Sequence, residues 1–333
     1  MIIWIDFTNT PHVNFFLPII RHFEKDHEFV VTARDFSETL PFLDKNGINF
    51  KLIGTHKGKS KIRKVLGLIS RVVRLLFYVP KFDLSMSIGG QNATPICFVR
   101  GKPSIVLSDN DTSYKYHSYK LGSYFVLPFY YDTEPLIKKY GVKRSQIHTY
   151  NGFIEDVYIA DYKPDKDFIN KIPFKDFITI RPENLKASYV PSDANTIVPE
   201  LFAKFRNENI LFLPHYKEER KYADGYNNIF IPNGPLSGLD MCYFTKAMLT
   251  GAGSFAREAA ILGTPAVSFF PGKYFLTVDK IMQEKGWEFK SRNTDEIFEY
   301  VNNAPKRESQ IKRSKNVQKE VIEIIENILR KYS

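Results

Sequence analysis

The chain has 333 residues, 43% of them hydrophobic and 25% charged, and carries a formal charge of +10. That balance excludes a disordered chain, and the length allows two domains, each with a core of its own. The only two cysteines, Cys97 and Cys242, sit in apolar runs, which excludes a disulfide scaffold or a cysteine-built zinc site and points to a reducing cytoplasm.

The chain opens on a strand, Ile2 to Phe7, with no basic leader, so it does not read as a signal peptide. Phe15 to Phe23 reads as the following helix, with Asn14 as its cap and Pro18 in its first turn. Phe29 to Thr32 is a second strand, Ser37 to Asn46 a helix stopped by Gly47, and Asn49 to Ile53 a third strand. This alternation predicts a parallel, doubly wound sheet. Residues 60–79 place Ile62, Val65, Leu66, Ile69, Val72, Val73 and Leu76 at helical spacing, with Arg63, Lys64, Arg71 and Arg74 between them. The simplest expectation is a core stripe turned inward and charge turned outward. From Lys45 to Lys81 there are ten basic residues and no Asp or Glu, which accounts for the whole net charge. Such a patch suits phosphate, nucleic acid or an anionic membrane surface. No apolar run reaches the ~18–20 residues of a membrane span.

Leu84 to Ile88 is the next strand and runs into the small-residue turn Gly89-Gly90-Gln91-Asn92-Ala93-Thr94. Ser104 to Leu107 opens onto Ser108-Asp109-Asn110-Asp111, and Tyr124 to Leu127 is a further strand. Between Tyr150 and Pro164 the pattern turns Tyr-, Asp- and Pro-rich, the best linker in the chain. A second alternating series follows. Its strands are Phe177 to Ile180, Ile210 to Leu213 and Ile229 to Pro232. Ser192 to Phe205, Leu239 to Phe244, Val278 to Lys285 and Gln310 to Tyr332 are helices. In such sheets ligands bind beyond the carboxyl ends of the strands, so the residues after each strand are the candidates.

The densest signal is Ala247 to Gly272: a short strand, Gly251-Ala252-Gly253-Ser254, a helix from Phe255 to Leu262, then Gly263, Pro265 and a second strand. A glycine turn feeding a helix N-terminus offers free N–H groups and a positive dipole end to a phosphate. Taken by itself, it fits an ordinary β-α-β crossover equally well.

Two motifs carry a family resemblance over essentially the full length. The run Gly251-Ala252-Gly253-Ser254-Phe255-Ala256-Arg257-Glu258-Ala259-Ala260, followed by Leu262-Gly263-Thr264-Pro265-Ala266, is similar to the donor-binding segment of GT-B enzymes. Thr10-Pro11-His12-Val13 resembles their first glycine-rich loop, with Pro11 where a glycine is usual. The chain most resembles a prokaryotic branch related to the UDP-N-acetylglucosamine 2-epimerases and the lipid-II-forming N-acetylglucosaminyltransferase. This implies a GT-B fold, two tandem doubly wound (Rossmann-like) α/β domains facing a cleft. Residues 1–155 would be the acceptor side, 156–310 the nucleotide-sugar domain and 311–333 a C-terminal helix. It implies a UDP-sugar or similar nucleotide-sugar as substrate and no separate cofactor. The diphosphate would lie against Gly251, Gly253 and Ser254, and Glu258 would accept hydrogen bonds from the ribose hydroxyls. Arg257 would neutralise phosphate or form a surface salt bridge. Arg181, after a strand, would touch phosphate or brace the hinge. Thr10, Asn14, Gly89, Gly90, Gln91 and Asp111 would line the acceptor side.

Two chemistries follow. A metal-independent inverting glycosyltransferase of cell-surface glycan synthesis needs positive groups for the departing diphosphate and a base beside the acceptor hydroxyl. His12 leads as base, and Asp109 or Asp111 could serve instead. No Asp-x-Asp lies near the donor motif, so a metal site is not expected. An epimerase needs acids and bases on both sides of the sugar. His215 resembles the histidine those epimerases place at the end of the corresponding strand. Their carboxylate positions, however, hold Gly90-Gln91-Asn92 and Ser108-Asp109 here, which ranks transfer above epimerisation. A lipid-linked or glycan acceptor, with the basic 45–81 region at the inner face of the membrane, fits the transferase. A non-catalytic nucleotide-sugar or nucleic-acid binder is the third reading, and nucleic acid is disfavoured because no binding module accompanies the patch.

Overall fold

The computed structural model describes residues 1–332 apart from 37–38, 56–60, 109–115, 188–189 and 273–275; of residues 61–65 it describes the backbone alone. The chain divides into two compact units, residues 1–158 with 314–333, and residues 159–313.

In the first unit the elements run β1 (Ile2–Phe7), α1 (Thr10–Phe23), β2 (Glu28–Asp35), α2 (Thr39–Lys45), β3 (Lys51–Thr55), α3 (Lys61–Tyr78), β4 (Leu84–Ile88) and α4 (Ala93–Val99). They continue through β5 (Ser104–Leu107), α5 (Tyr116–Leu121), β6 (Tyr124–Pro128), α6 (Glu134–Tyr140), β7 (Ile147–Tyr150) and α7 (Ile154–Ile159). Seven strands form one parallel sheet in the order β3-β2-β1-β4-β5-β6-β7. Continuous apolar runs make the central strands, because both faces of a parallel sheet are covered by helices. Ile3, Ile5 and Phe7 of β1 and Val13, Phe16 and Ile20 of α1 meet in its main core.

The second unit runs β8 (Ile178–Arg181), α8 (Val198–Lys204), β9 (Ile210–Phe212), β10 (Ile229–Phe230), α9 (Gly238–Phe244), β11 (Met248–Thr250), α10 (Gly253–Ile261), β12 (Ala266–Ser268), α11 (Thr277–Glu284), β13 (Glu288–Lys290) and α12 (Thr294–Asn303). Its six-stranded parallel sheet has the order β10-β9-β8-β11-β12-β13. The last helix, α13 (Ile311–Leu329), returns to the first unit. It buries Val317, Val321, Ile325, Ile328 and Leu329 at steps of four, four, three and one in that unit's core. Ser314 Oγ donates to Asp156 Oδ1 at 2.6 Å and Gln318 Nε2 to the Val157 carbonyl at 2.9 Å, which pins the helix there.

Several expectations change. Helix α1 starts at Thr10, not Phe15, because Pro11 sits at a first-turn position whose N–H would be unpaired anyway. Its cap is therefore Asn9, Asn14 lies inside the helix, and Pro18 is an interior residue. Helix α8 begins only at Val198, with Pro199 in its first turn, so Ser192 is not its cap. The proposed cap Ser37 lies outside the described residues. The stretch read as a linker contains α7, held by Phe153 N–H donating to Asp156 Oδ2 at 2.8 Å.

Helix α3 departs furthest from its expected orientation. Arg71, Leu75 and Val79 form its buried side, while Leu66, Ile69 and Val73 of the expected core stripe are exposed. Arg71 goes inward because Asp6, a buried carboxylate inside β1, requires a cation. Two Arg71 nitrogens donate to the two Asp6 oxygens at 2.7 Å each, and Nε donates to the Ile53 carbonyl at 2.8 Å. Among the described residues no helix is long and apolar enough to cross a membrane.

Candidate functional site

Each sheet has one point where strand order reverses, between β1 and β4 in the first unit and between β8 and β11 in the second. Loops leaving the strands at such a point diverge to opposite faces and open a crevice.

In the second unit that crevice is bordered by Arg181, the last residue of β8, and by the turn after β11. Gly251 N–H donates to the Arg181 carbonyl at 3.0 Å, so it is engaged within the sheet rather than offered to a ligand. The glycine is needed for packing, because a Cβ there would stand 2.5 Å from Glu183 Cα. Ala252 N–H is taken by Thr250 Oγ1 at 2.9 Å. Helix α10 then begins at Gly253 with no side-chain cap and no acidic residue in its first turn. Gly253, Ser254 and Phe255 thus present a half-buried helix N-terminus with no acidic residue in its first turn.

Arg181 stands beside this helix end. Its guanidinium stacks 5.0 Å over the Phe255 ring, and Nη2 lies 3.2 Å from His215 Nδ1. Burial pulls the Arg181 pKa down, and the charges of Glu219 and Glu258 oppose that. His215 Nε2 lies 3.1 Å from the Pro182 carbonyl, which accepts only, so Nε2 carries the proton and Nδ1 accepts from Arg181. Burial first, and the Arg181 charge second, push the His215 pKa down to about 4. The histidine is neutral at pH 7 with both ring nitrogens engaged. Through Nδ1 it holds Arg181.

Glu258, buried one turn and a half into α10, lies 3.9 Å from Cys242 Sγ, which is fully buried. Burial, and then the Glu258 charge, raise the Cys242 thiol well above its usual range, so it stays a donor to that carboxylate. A Cβ on Gly238 would come within 4.0 Å of Glu258 Oε2, so the first residue of α9 leaves room on that side. Arg257 is buried in an ion pair, its Nη1 donating to Asp279 Oδ1 of α11 at 3.0 Å. The same Nη1 also lies beside Gly253, where a Cβ would stand 2.8 Å from it. Glu183 is likewise internal, accepting from Arg292 Nη1 at 2.8 Å, Thr196 Oγ1 at 2.7 Å and Ile197 N–H at 3.2 Å.

In the first unit, His12 lies in the first turn of α1, with Nδ1 3.2 Å from Thr8 Oγ1. Asn9 caps the helix by accepting from His12 N–H at 3.4 Å. Thr10 Oγ1 is 3.4 Å from Thr39 Oγ1, which holds the start of α1 on α2. Across the crevice, after β4, Gly89 and Gly90 take φ values of +76° and +69°, which only glycine adopts readily. A Cβ on Gly90 would also sit 3.0 Å from Val106 Cγ2. Gln91 is exposed, and the buried Ser87 Oγ and Asn92 Oδ1 have no hydrogen-bond partner among the described residues. Asp109 and Asp111 lie outside the described residues. The sheet thus brings the His12 loop and the Gly89–Gln91 loop to one edge.

Arg34, near the end of β2, lies against the turn that leads into α1, a contact that the strand pattern did not reveal. Its Nη2 donates to the Thr8 carbonyl at 2.8 Å, and its guanidinium stacks 5.0 Å from the Phe36 ring. The nearby Asp6 is already taken by Arg71 and by Thr32 Oγ1 at 2.6 Å. Burial, then the Arg71 charge, lower the Arg34 pKa. The Asp6 charge opposes that shift, and the guanidinium stands beside the turn that carries Thr8. The signal was Asp6: a carboxylate in a buried strand predicts an arginine cluster around it.

The comparisons with known proteins agree with this architecture. Residues 1–331 match the family described as "Protein of unknown function (DUF354)". The Uncharacterized protein MJ0665 of Methanocaldococcus jannaschii is 26% identical over 315 residues, 90% of each chain. Among solved structures, the UDP-GlcNAc 2-epimerase of the same organism, crystallised with UDP-GlcNAc and UDP, superposes with a TM-score of 0.71 at 16% identity, over 99% of this chain and 100% of that one. The glycotransferase of kitacinnamycin superposes with a TM-score of 0.63 at 11% identity, over 100% and 99%. At such identities the likeness is one of fold. The chain belongs to the DUF354 family and has the two-sheet α/β fold of the GT-B class shared by UDP-GlcNAc 2-epimerases and a glycosyltransferase.

Proposed function

We propose that this protein is a metal-independent glycosyltransferase that takes a UDP-sugar as donor in cell-surface glycan synthesis. The observation that carries the reading is the uncapped N-terminus of α10, with Arg181 beside it and Glu258 further along the same helix. The donor diphosphate would accept from the Gly253 and Ser254 N–H groups and face Arg181. Glu258 would accept from the ribose hydroxyls. As the bond from the anomeric carbon to the phosphate oxygen breaks, the helix dipole and Arg181 stabilise the charge that develops on the departing diphosphate. The acceptor hydroxyl forms the new bond to that carbon and gives its proton to His12, whose tautomer Thr8 helps to set. Asp109 is the alternative base and Asp111 an acceptor-side contact. Gly251 and Arg257 support this site by packing, and Thr10, Gly89, Gly90 and Gln91 shape the acceptor side. The acceptor is a lipid-linked or glycan hydroxyl at the cytoplasmic face of the membrane.

Epimerisation is the second reading, favoured by the superposition on UDP-GlcNAc 2-epimerases. It needs a proton carrier at carbon two, and the engagement of both His215 nitrogens argues against that residue. The test is incubation with a panel of UDP-sugars and a bacterial lipid extract in deuterated water. Transfer releases UDP and gives a glycosylated product without deuterium at sugar carbon two. Deuterium at that carbon would replace this reading with epimerisation, and bound but unchanged donor would leave a binding protein.

A further inference from the structure

The cationic run from Lys45 to Lys81 coincides with an exposed apolar surface. Leu66, Ile69, Val73 and Phe77 of α3, spaced three, four and four residues apart, form one stripe along the helix and are 60, 55, 48 and 76% exposed. Phe98 and Val99, closing α4, are 67 and 65% exposed. Arg100, the next residue, donates to the carbonyls of Leu76 at 2.6 Å, Val79 at 2.9 Å and Pro80 at 2.9 Å. That clamp holds the aromatic end of α4 on the end of α3 where Phe77 lies. Arg74 and Lys81 are exposed at the same place, and no acidic residue occurs between Asp44 and Asp83.

We propose that this face of α3 and α4 docks the protein on an anionic lipid surface. The apolar stripe would enter the boundary between headgroups and acyl chains, with Arg74 and Lys81 against lipid phosphates. Contiguous exposed apolar side chains of this size mark an interaction surface, and the chemistry around them selects the occupant. A second copy of the chain is disfavoured, because a twofold contact would set the same acid-free cationic patch against itself. Nucleic acid would meet the cations but leave Leu66, Ile69 and Val73 without a partner, since aliphatic side chains do not stack on bases. Charge alone raised the membrane as one of several partners; the outward stripe is what commits to it. The inference is independent of the nucleotide-sugar reading and is tested without nucleotide.

The test is co-sedimentation of the full chain with vesicles of phosphatidylcholine, alone or mixed with phosphatidylglycerol. Binding is expected to the mixed vesicles and to fall as salt rises. Arg74→Gln should weaken it roughly fivefold, from ~1 kcal/mol per charge near an anionic surface. Phe77→Ser with Phe98→Ser should weaken it more than about tenfold, because each phenylalanine loses its burial in the bilayer. Both are surface changes, so circular dichroism and melting temperature should stay as in the parent. Absence of binding to mixed vesicles, or binding indifferent to both variants, would overturn the proposal. So would a dimer in light scattering that the phenylalanine changes dissolve.

Discussion

The two strand-order reversals are built alike and finished differently. In the first unit the helix after the crevice is capped by its own chain: Asn9 accepts from His12 N–H, and Pro11 has no N–H to offer. In the second, α10 starts with neither cap nor acid. Each crevice also holds a half-buried arginine that hydrogen-bonds a neutral group, Arg34 the Thr8 carbonyl and Arg181 the His215 ring. The same topology therefore yields one crevice whose helix end is capped by a side chain and one whose helix end is not. Sheet order locates both crevices, and on the proposed reading it is the uncapped one that takes the donor phosphate.

The comparison breaks hardest at Asp6. Asp6→Ala leaves Arg71 buried without its carboxylate, and unfolding in urea should show a loss of about 3–5 kcal/mol. A loss below 1 kcal/mol would mean that the pair is not closed as described.

The His215 brace is tested by pH. Its folded pKa, about 4, lies below the unfolded value of 6.5, so above pH 6.5 both states are neutral and the group contributes no pH dependence. As pH falls from 6.5 toward 4 the unfolded chain takes up a proton that the folded one excludes, and stability declines. The full decline is on the order of 3 kcal/mol. In His215→Asn that segment of the stability profile should flatten. A profile unchanged by the substitution would show that the ring is not held neutral.

Ligand binding should separate the two crevices. Glu258→Ala should weaken UDP binding by roughly 10- to 100-fold in calorimetric titration, the scale of hydrogen bonds to a charged group, with the fold intact. Arg34→Ala should leave UDP affinity unchanged. The smallest expected effect is on stability in that same variant. Among the described residues Arg34 makes one backbone hydrogen bond and a ring contact, so its loss should cost no more than about 1 kcal/mol. A larger cost would mean that Arg34 belongs to the Asp6–Arg71 pair rather than to the crevice.

Most of the fold was legible because its strands are continuous apolar runs. Ile2–Phe7, Leu84–Ile88 and Ser104–Leu107 appear with the expected ends. Strand β13 and helices α5 and α6, three, six and seven residues long, carry too little periodic signal to stand out by themselves. For α3 the period was right and the face only partly so: Val72 and Leu76 pack on the core, while Leu66, Ile69 and Val73 face outward. Periodicity reports that one side of a helix is apolar, not which side the core takes, and Asp6 pulled Arg71 inward against the hydrophobic pattern. In the candidate site, the glycine turn and Glu258 were readable from spacing and family likeness. The engagement of His215 and Arg257 was not, because their partners Pro182, Arg181 and Asp279 are brought to them by the fold.

The central claim is that the open end of α10 and Glu258 hold a nucleotide diphosphate. Thermal unfolding with UDP, UDP-N-acetylglucosamine and uridine tests it most directly, in the parent and in Glu258→Ala. A ligand at a hundred times its dissociation constant adds ~2.7 kcal/mol to stability. The melting temperature should therefore rise with both diphosphates, stay put with uridine, and respond much less in the variant. An unshifted melt with every UDP, GDP, CMP and dTDP compound tried would contradict the account.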